Sequence, residues 1–298
     1  MDRAVIVEHL SVQTLKNVSF SLQPGELVGL IGPVGAGKTT ILRTLSGLLS
    51  PMSGFVEVLE FNPGEKKPEF LKQIGLVLGQ CTQLWPQLSA RKTFELNKAI
   101  YELPSRQYVE NLNELTELLG VIKLVDVPVK RLSFGQRMRL EIVAALLHKP
   151  QIVLLDEPIS DLDLVAGARV RDFIYAYNRK YGVTTLFATH SLDDLIGLVR
   201  RVIVINDGKI IFDGVLEKLL GSYAKEKLIK INLAQDVNVE SLNKIGQVRM
   251  WTYPQAVVAV PRSTVAVAAA EILQNYPVTD LAIEEIPIEE VVRKAIKQ

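Results

Sequence analysis

Short β-rich runs broken by turns fill the first thirty residues: AVIVEHL at 4–10, KNVSFSL at 16–22, and an apolar stretch at 27–31. Pro24-Gly25 marks a turn before the last of these, which reads as a buried strand. Helix-like and strand-like segments then alternate, which predicts an α/β fold with a partly parallel sheet. Residues 89–149 break the alternation with helical periodicity, placing Val109, Leu112, Leu115, Leu118 and Leu119 on one helix face. The pattern predicts a helical subdomain inserted between two sheet segments. Strand signals return at 151–155 and 183–188, and VIVI and KIIF around Asn206-Asp207-Gly208 predict a hairpin over 202–212.

The pattern loosens over 213–226, and a domain boundary is expected near 222, giving domains 1–222 and 223–298. The second reads β, α, β, β, α, β, α over 227–234, 238–245, 248–253, 256–261, 263–275, 279–286 and 287–297. That order predicts a small ferredoxin-like α+β unit. No uninterrupted apolar run reaches the roughly 18 residues needed to cross a bilayer. The richest stretch, 256–273, contains Pro261 and Arg262 and reads as a strand followed by a helix. The N-terminus lacks the apolar length of a signal peptide, so any membrane role is expected to come through a partner. The 34 basic and 33 acidic residues leave a formal charge of +1 and no field favouring nucleic acid or an anionic membrane. Cys81 is the only cysteine, which excludes an internal disulfide and suits a reducing, cytoplasmic setting. With no partner cysteine it reads as incidental.

Chemistry enters at GPVGAGKTT, residues 32–40, set between the strand at 27–31 and a helical run. This is G-x-x-x-x-G-K-[ST]. Gly32, Gly35 and Gly37 let the backbone turn its N–H groups inward on phosphate oxygens, and the following helix N-terminus adds partial positive charge. Pro33, Val34, Ala36 and Thr40 complete the loop. Lys38 can reach the β- and γ-phosphates, and the Thr39 hydroxyl can ligate Mg²⁺. A nucleoside triphosphate site is the expectation. QIVLLDEP at 151–158 adds a buried strand ending in two acids. Asp156 would hold Mg²⁺ through a water, and Glu157 could take a proton from an attacking water. In RLSFGQ, residues 131–136, Ser133 and Gln136 have the spacing of a capping box at a helix start.

Together these segments resemble the ATP-binding cassette (ABC) ATPases over about residues 4–220: a P-loop fold with mixed sheet and helical subdomain. GPVGAGKTT resembles their phosphate loop, RLSFGQ their LSGGQ signature, VLLDEP their acidic strand, SDLD at 160–163 their D-loop, ATHS at 188–191 their switch-histidine loop, and IGLVLGQCTQLWP at 74–86 their glutamine loop. The resemblance implies ATP and Mg²⁺ as ligands. It implies that Gln80 contacts Mg²⁺ or the attacking water, that Glu157 is the general base, and that His190 contacts the γ-phosphate. It also implies that Ser133, Gly135 and Gln136 bind the γ-phosphate held by an opposite subunit, and that Asp163 couples the two sites.

The departures are Val34, at a position that faces away from the phosphates; Phe134, in place of the first signature glycine; and Asp161, at a usually small D-loop position. EHLSVQTLKNVSF also has no aromatic before Phe20 on which adenine could stack. The implied protein is an ATP-hydrolysing transporter subunit that dimerises, with itself or a second ATPase subunit, around two ATPs. It would drive a separate integral membrane permease from the cytoplasmic face, with no membrane insertion of its own and no nucleic-acid partner. The segments 75–89 and 134–150 resemble those of ATPases paired with type-2 exporter permeases. The alternative is a soluble ABC ATPase acting on ribosomes or nucleic acid; one cassette per chain, a short helical insert and balanced charge count against it.

Overall fold

Why the chemistry gathers at one edge follows from how the strands are ordered. The computed structural model describes residues 3–79, 81–223, 226–286 and 290. Strands β1 (Val5–Val12) and β2 (Leu15–Leu22) form a hairpin. After β3 (Leu27–Ile31) the chain turns into helix α1 (Lys38–Leu45), and β4 (Ser53–Val58) returns to pair with β1, giving a sheet of order β2-β1-β4. A short helix α2 (Pro68–Leu71) leads to β5 (Ile74–Leu78). The predicted helical insert follows as α3 (Ala90–Ile100), α4 (Ser105–Leu118) and α5 (Phe134–Leu146). The chain then re-enters the sheet through β6 (Ile152–Asp156), α6 (Leu164–Tyr181), β7 (Thr184–Thr189), β8 (Arg201–Asn206) and β9 (Lys209–Val215).

The second sheet has order β5-β6-β7-β3-β8-β9, and the β5/β6, β6/β7, β7/β3 and β3/β8 pairs are parallel. Strands β3, β6 and β7 are buried on both faces, as parallel strands covered by helices must be: Leu30, Leu154 and Leu186, with Ile203 of β8, pack with Ile41, Leu42 and Leu45 of α1. The expected hairpin forms with a two-residue turn, Asp207 and Gly208 both at positive φ (47° and 76°), which suits the twist of the flanking strands.

One helical-face reading needs correction. Leu112, Leu115 and Leu119 are buried, but Val109 and Leu118 stand about half exposed. Three-residue steps rotate a helical position by about 300° each, so the stripe drifts, and its two ends point away from the core.

The described chain divides into two compact units, 1–214 and 215–298. The boundary expected at 222 falls at the end of α7 (Leu216–Tyr223). Beyond it, β10 (Glu226–Leu233), α8 (Val239–Leu242), β11 (Gln247–Thr252), β12 (Gln255–Pro261), α9 (Val265–Asn275) and β13 (Val278–Glu285) follow the expected order. They form an antiparallel sheet β11-β12-β10-β13, the ferredoxin-like arrangement. Ile229, Ile231, Val258, Val260 and Ile272 make its own core. The helix expected at 287–297 lies outside the described residues, Glu290 apart.

Just past α5, His148 is buried, its ring stacked on Tyr101 at 3.8 Å and its Nε2 donating to the Ile74 carbonyl at 3.0 Å. Burial pushes its pKa down to about 4, against the opposing pull of that carbonyl. The folded protein therefore holds it neutral, while the unfolded chain protonates it near 6.5. Between those values the unfolded state binds more protons, so acid destabilises the fold through this residue by about 3 kcal/mol in all. His148→Gln should lower stability by about 1 kcal/mol at pH 7, for the lost stacking and hydrogen bond. It should also flatten the decline between pH 6.5 and 4, as read from urea midpoints across that range.

Candidate functional site

The parallel strands end level. Ile31 of β3 lies opposite Thr189 of β7, Asp156 of β6 opposite Ala188, and Leu78 of β5 opposite Asp156. The loop at 32–37, the acids at 156–157, His190 and the loop after Leu78 thus emerge at one sheet edge, where ligands of open α/β sheets bind. They line a pocket of about 240 Å³ with Ser160, Asp161 and Phe134.

Two glycines of the loop have a visible reason. A Cβ on Gly32 would sit 2.1 Å from the Ile205 carbonyl oxygen of β8. Gly37, the N-cap of α1, has φ 110°, and a Cβ there would meet Leu15 at 2.5 Å. Val34 is 85% exposed, whereas Ala36 is buried and accepts from Gly208 N at 3.1 Å. Lys38 is buried, its ammonium donating to the carbonyls of Gly32 (2.7 Å) and Pro33 (3.1 Å). It lies 3.4 Å from Glu157 Oε1. The Thr40 carbonyl accepts from the Thr44 hydroxyl at 2.8 Å inside α1.

Thr39 Oγ1 donates to Asp156 Oδ2 at 2.7 Å. The other oxygen, Asp156 Oδ1, is buried with no partner among the described residues. Burial raises the Asp156 pKa, the Thr39 hydrogen bond opposes this, and neighbouring Glu157 raises it further. A hydroxyl beside a carboxylate with one unsatisfied oxygen fits Mg²⁺, which keeps waters and binds through one or two protein groups plus phosphates. No cluster of three or more His, Cys, Asp or Glu that could cage a metal occurs among the described residues.

Glu157 occupies the left-handed region at φ 50°, uncommon for a residue with a side chain. Its Oε2 accepts from the Ser160 hydroxyl and from His190 Nδ1 (2.9 Å). Burial raises its pKa, but the Ser160 hydrogen bond, the Lys38 charge and His190 outweigh it, holding the carboxyl below its usual value. It is therefore ionised at neutral pH and able to accept a proton. The strand before His190 is fixed by Thr189, whose hydroxyl donates to Asp194 Oδ2 at 2.6 Å and accepts from Ser191 N at 3.0 Å. Burial raises the Asp194 pKa, against the pull of that Thr189 hydrogen bond.

Neither Ser160's bond to Glu157 nor Asp194's to Thr189 was singled out in the sequence; nothing in SDLD or SLDDL separates these two from ordinary surface polar residues. Gln80 lies outside the described residues. Beside it, Gly79 N donates to the Asp156 carbonyl at 3.0 Å, and Cys81 is exposed on the pocket wall.

The capping box at α5 is formed: Gln136 N donates to Ser133 Oγ (3.2 Å), and Ser133 N donates to Gln136 Oε1 (3.0 Å). Gly135 faces Leu162, whose Cδ2 would lie 3.1 Å from a Cβ there. Of the signature residues, only Phe134 lines this chain's own pocket. Asp163 caps α6, accepting from Ala166 N at 2.8 Å. The β1–β2 turn, Gln13-Thr14, carries no aromatic side chain.

Comparison with known proteins agrees with this fold. Residues 15–160 match the ABC transporter family, and residues 225–284 match the EvrA-like ABC transporter C-terminal domain. The ABC transporter ATP-binding protein NatA of Bacillus subtilis is 32% identical over 217 residues, spanning 73% of this chain and 88% of that protein. The molybdenum import ATP-binding protein ModC of Paramagnetospirillum magneticum is 33% identical over 210 residues, 69% of this chain and 57% of that protein. In fold, cbiO1 of Clostridium perfringens, part of the ABC transporter complex cbiONQ, superposes with a TM-score of 0.66 at 24% identity. That match covers 74% of this chain and 92% of that one. With its phosphate loop, acidic pair and histidine gathered at one sheet edge, the chain belongs to the ATP-binding proteins of ABC transporters, which are ATPases coupled to transport.

Proposed function

We propose that two cassettes, two copies of this chain or one copy and a second ATPase subunit, close around two ATPs to drive a separate membrane permease. The observation that carries this reading is Glu157, held between Lys38, Ser160 and His190 beside the Thr39–Asp156 pair. The loop N–H groups and Lys38 bind the β- and γ-phosphates; a phosphate oxygen competes with Glu157 for the Lys38 ammonium and frees the carboxylate. Thr39 and, through a water, Asp156 would hold Mg²⁺, which would supply charge that offsets the phosphates. Glu157 orients a water and takes its proton as the water oxygen bonds to the γ-phosphorus and the bond to ADP breaks. His190 keeps Glu157 aligned and contacts the γ-phosphate, and the family resemblance assigns Gln80 to Mg²⁺ or the water. Ser133, Gly135 and Gln136 contact the γ-phosphate of the opposite cassette through the helix N-terminus.

The permease surface in this reading is an apolar groove of about 510 Å³ beside β5, lined by Leu71, Ile74, Leu76, Leu78, Ile100 and Ala145 among others. No helix among the described residues is long and apolar enough to cross a membrane. In this reading, attachment to the cytoplasmic face runs through the permease. We propose export as the direction; the resemblance of segments 75–89 and 134–150 to exporter ATPases supports it. The C-terminal unit is proposed as regulatory or dimerising.

Glu157→Gln should bind Mg²⁺·ATP, lose hydrolysis by 10²-fold or more, and accumulate as an ATP-dependent dimer in size-exclusion chromatography. Near-normal turnover would remove Glu157 from the role. Thr39→Ala should leave metal-free ATP binding within about twofold while abolishing the gain in affinity on adding Mg²⁺, read by titration calorimetry; a retained Mg²⁺ gain would exclude the hydroxyl as a ligand.

A further inference from the structure

The phosphate pocket and the apolar groove share a wall. Leu78 and Cys81 line both cavities, and the chain continues from that wall into the stretch 82–88. This stretch is strapped to the segment carrying the signature residues at two places. Near its far end, Lys130 N donates to the Pro86 carbonyl and Val129 N to the Leu88 carbonyl, both at 2.9 Å. At its near end the partner is Glu141 of α5, which is only 3% exposed. The Thr82 hydroxyl donates to Glu141 Oε1 and Gln83 N donates to Oε2 at 3.2 Å, while the Gln83 side-chain amide donates to the Glu141 carbonyl at 3.2 Å.

A carboxylate is a poor choice for stability here. Burying it carries a desolvation penalty that its hydrogen bonds only offset, and an apolar residue of similar volume is commonly as stable or better. What the carboxylate adds is two acceptor oxygens that fix two successive residues of the wall at once. On the same helix Ser133 lies eight residues away, about 12 Å along the axis. A rigid helix between them carries a displacement of one end to the other.

We propose that Glu141 is a positioning residue for ATP hydrolysis: it ties residues 82–84 to α5, so that the wall shared by the two cavities moves as one piece with Ser133–Gln136. This rests on the reading of Ser133, Gly135 and Gln136 as contacts to the opposite cassette's γ-phosphate. Engagement of that phosphate then reaches the groove through Glu141, and occupancy of the groove reaches the signature residues by the same route.

Glu141→Gln keeps volume and packing but removes the charge and replaces one of the two acceptor oxygens with a donor. Thr82→Val removes a hydroxyl donor from the wall without touching the helix. The exposed thiol of Cys81, the chain's only cysteine, reports on the wall directly. In the full-length protein, Mg²⁺·ATP should slow Cys81 labelling by a maleimide several-fold. Both variants should label faster without nucleotide, lose that protection, and drop kcat by roughly 10-fold or more with KM for ATP within twofold, since a misplacement of about 1 Å costs up to 100-fold. Glu141→Asp should restore part of kcat.

Ser133→Ala is measured in parallel. If it slows hydrolysis while Glu141→Gln and Thr82→Val turn over and protect Cys81 like the unaltered protein, the inference about Glu141 is overturned. If Ser133→Ala is itself indistinguishable from the unaltered protein, the signature reading fails first. Should Glu141→Gln not fold, Thr82→Val decides alone, a normal kcat and normal protection overturning the inference.

Discussion

The site depends on the register of three buried parallel strands. β3, β6 and β7 pair so that Ile31, Asp156 and Ala188–Thr189 come level, and the ladder continues one residue past their ends. Glu157 N donates to the Ala188 carbonyl at 2.9 Å, and Gly79 N to that of Asp156 at 3.0 Å. A slip of one residue in β6 would turn its side chains to the opposite face, drawing Asp156 away from Thr39. The apolar packing of Leu30, Leu154 and Leu186 against α1 therefore sets the distance between a hydroxyl and a carboxylate.

Level strand ends crowd like charges. Asp156 and Glu157 are adjacent acids on a half-buried edge, and Glu157 raises the pKa of both Asp156 and Asp194. The Lys38 ammonium, between the Gly32 and Pro33 carbonyls and Glu157, and the hydroxyls of Thr39 and Ser160 absorb part of this. One oxygen of Asp156 stays unsatisfied among the described residues. A buried unpaired acceptor beside a second carboxylate favours a bound cation, and the ammonium beside it favours an anion. Complementarity to a metal–phosphate pair thus follows from the protein's own unbalanced charges.

Much of this was legible because the chemistry sits in contiguous residues at fixed spacing. The phosphate loop, the acid pair after QIVLL, His190 and the Ser133–Gln136 box all depend on neighbours within a few positions, and the β, α, β, β, α, β order of the second unit was readable from turns and periodicity. What escaped the sequence is long-range. Glu141 meets residues 82–84 across 58 positions, and His148 meets Ile74 across 74. Only tertiary packing brings such partners together. The misplaced helical face at Val109 and Leu118 has a different cause: evenly spaced leucines look like a stripe in sequence, yet a step of three falls short of a full turn by about 60°.

Under the proposed function the start of α5 serves two purposes with one set of groups. A helix N-terminus leaves four backbone N–H groups without intrahelical partners, and the capping box satisfies only one of those inside the helix, that of Gln136. The N–H groups of Phe134 and Gly135 stay available to an anion. Within this chain, however, Ser133, Gly135 and Gln136 do not line the phosphate pocket among the described residues. In the proposed function, a donor set built at this helix start, away from its own chain's phosphate pocket, acts on ATP when a second cassette brings its nucleotide to it. Gly135 fits that use: Leu162 crowds it from the D-loop side, so the same absence of a Cβ serves packing within the chain and leaves the backbone open at the helix start.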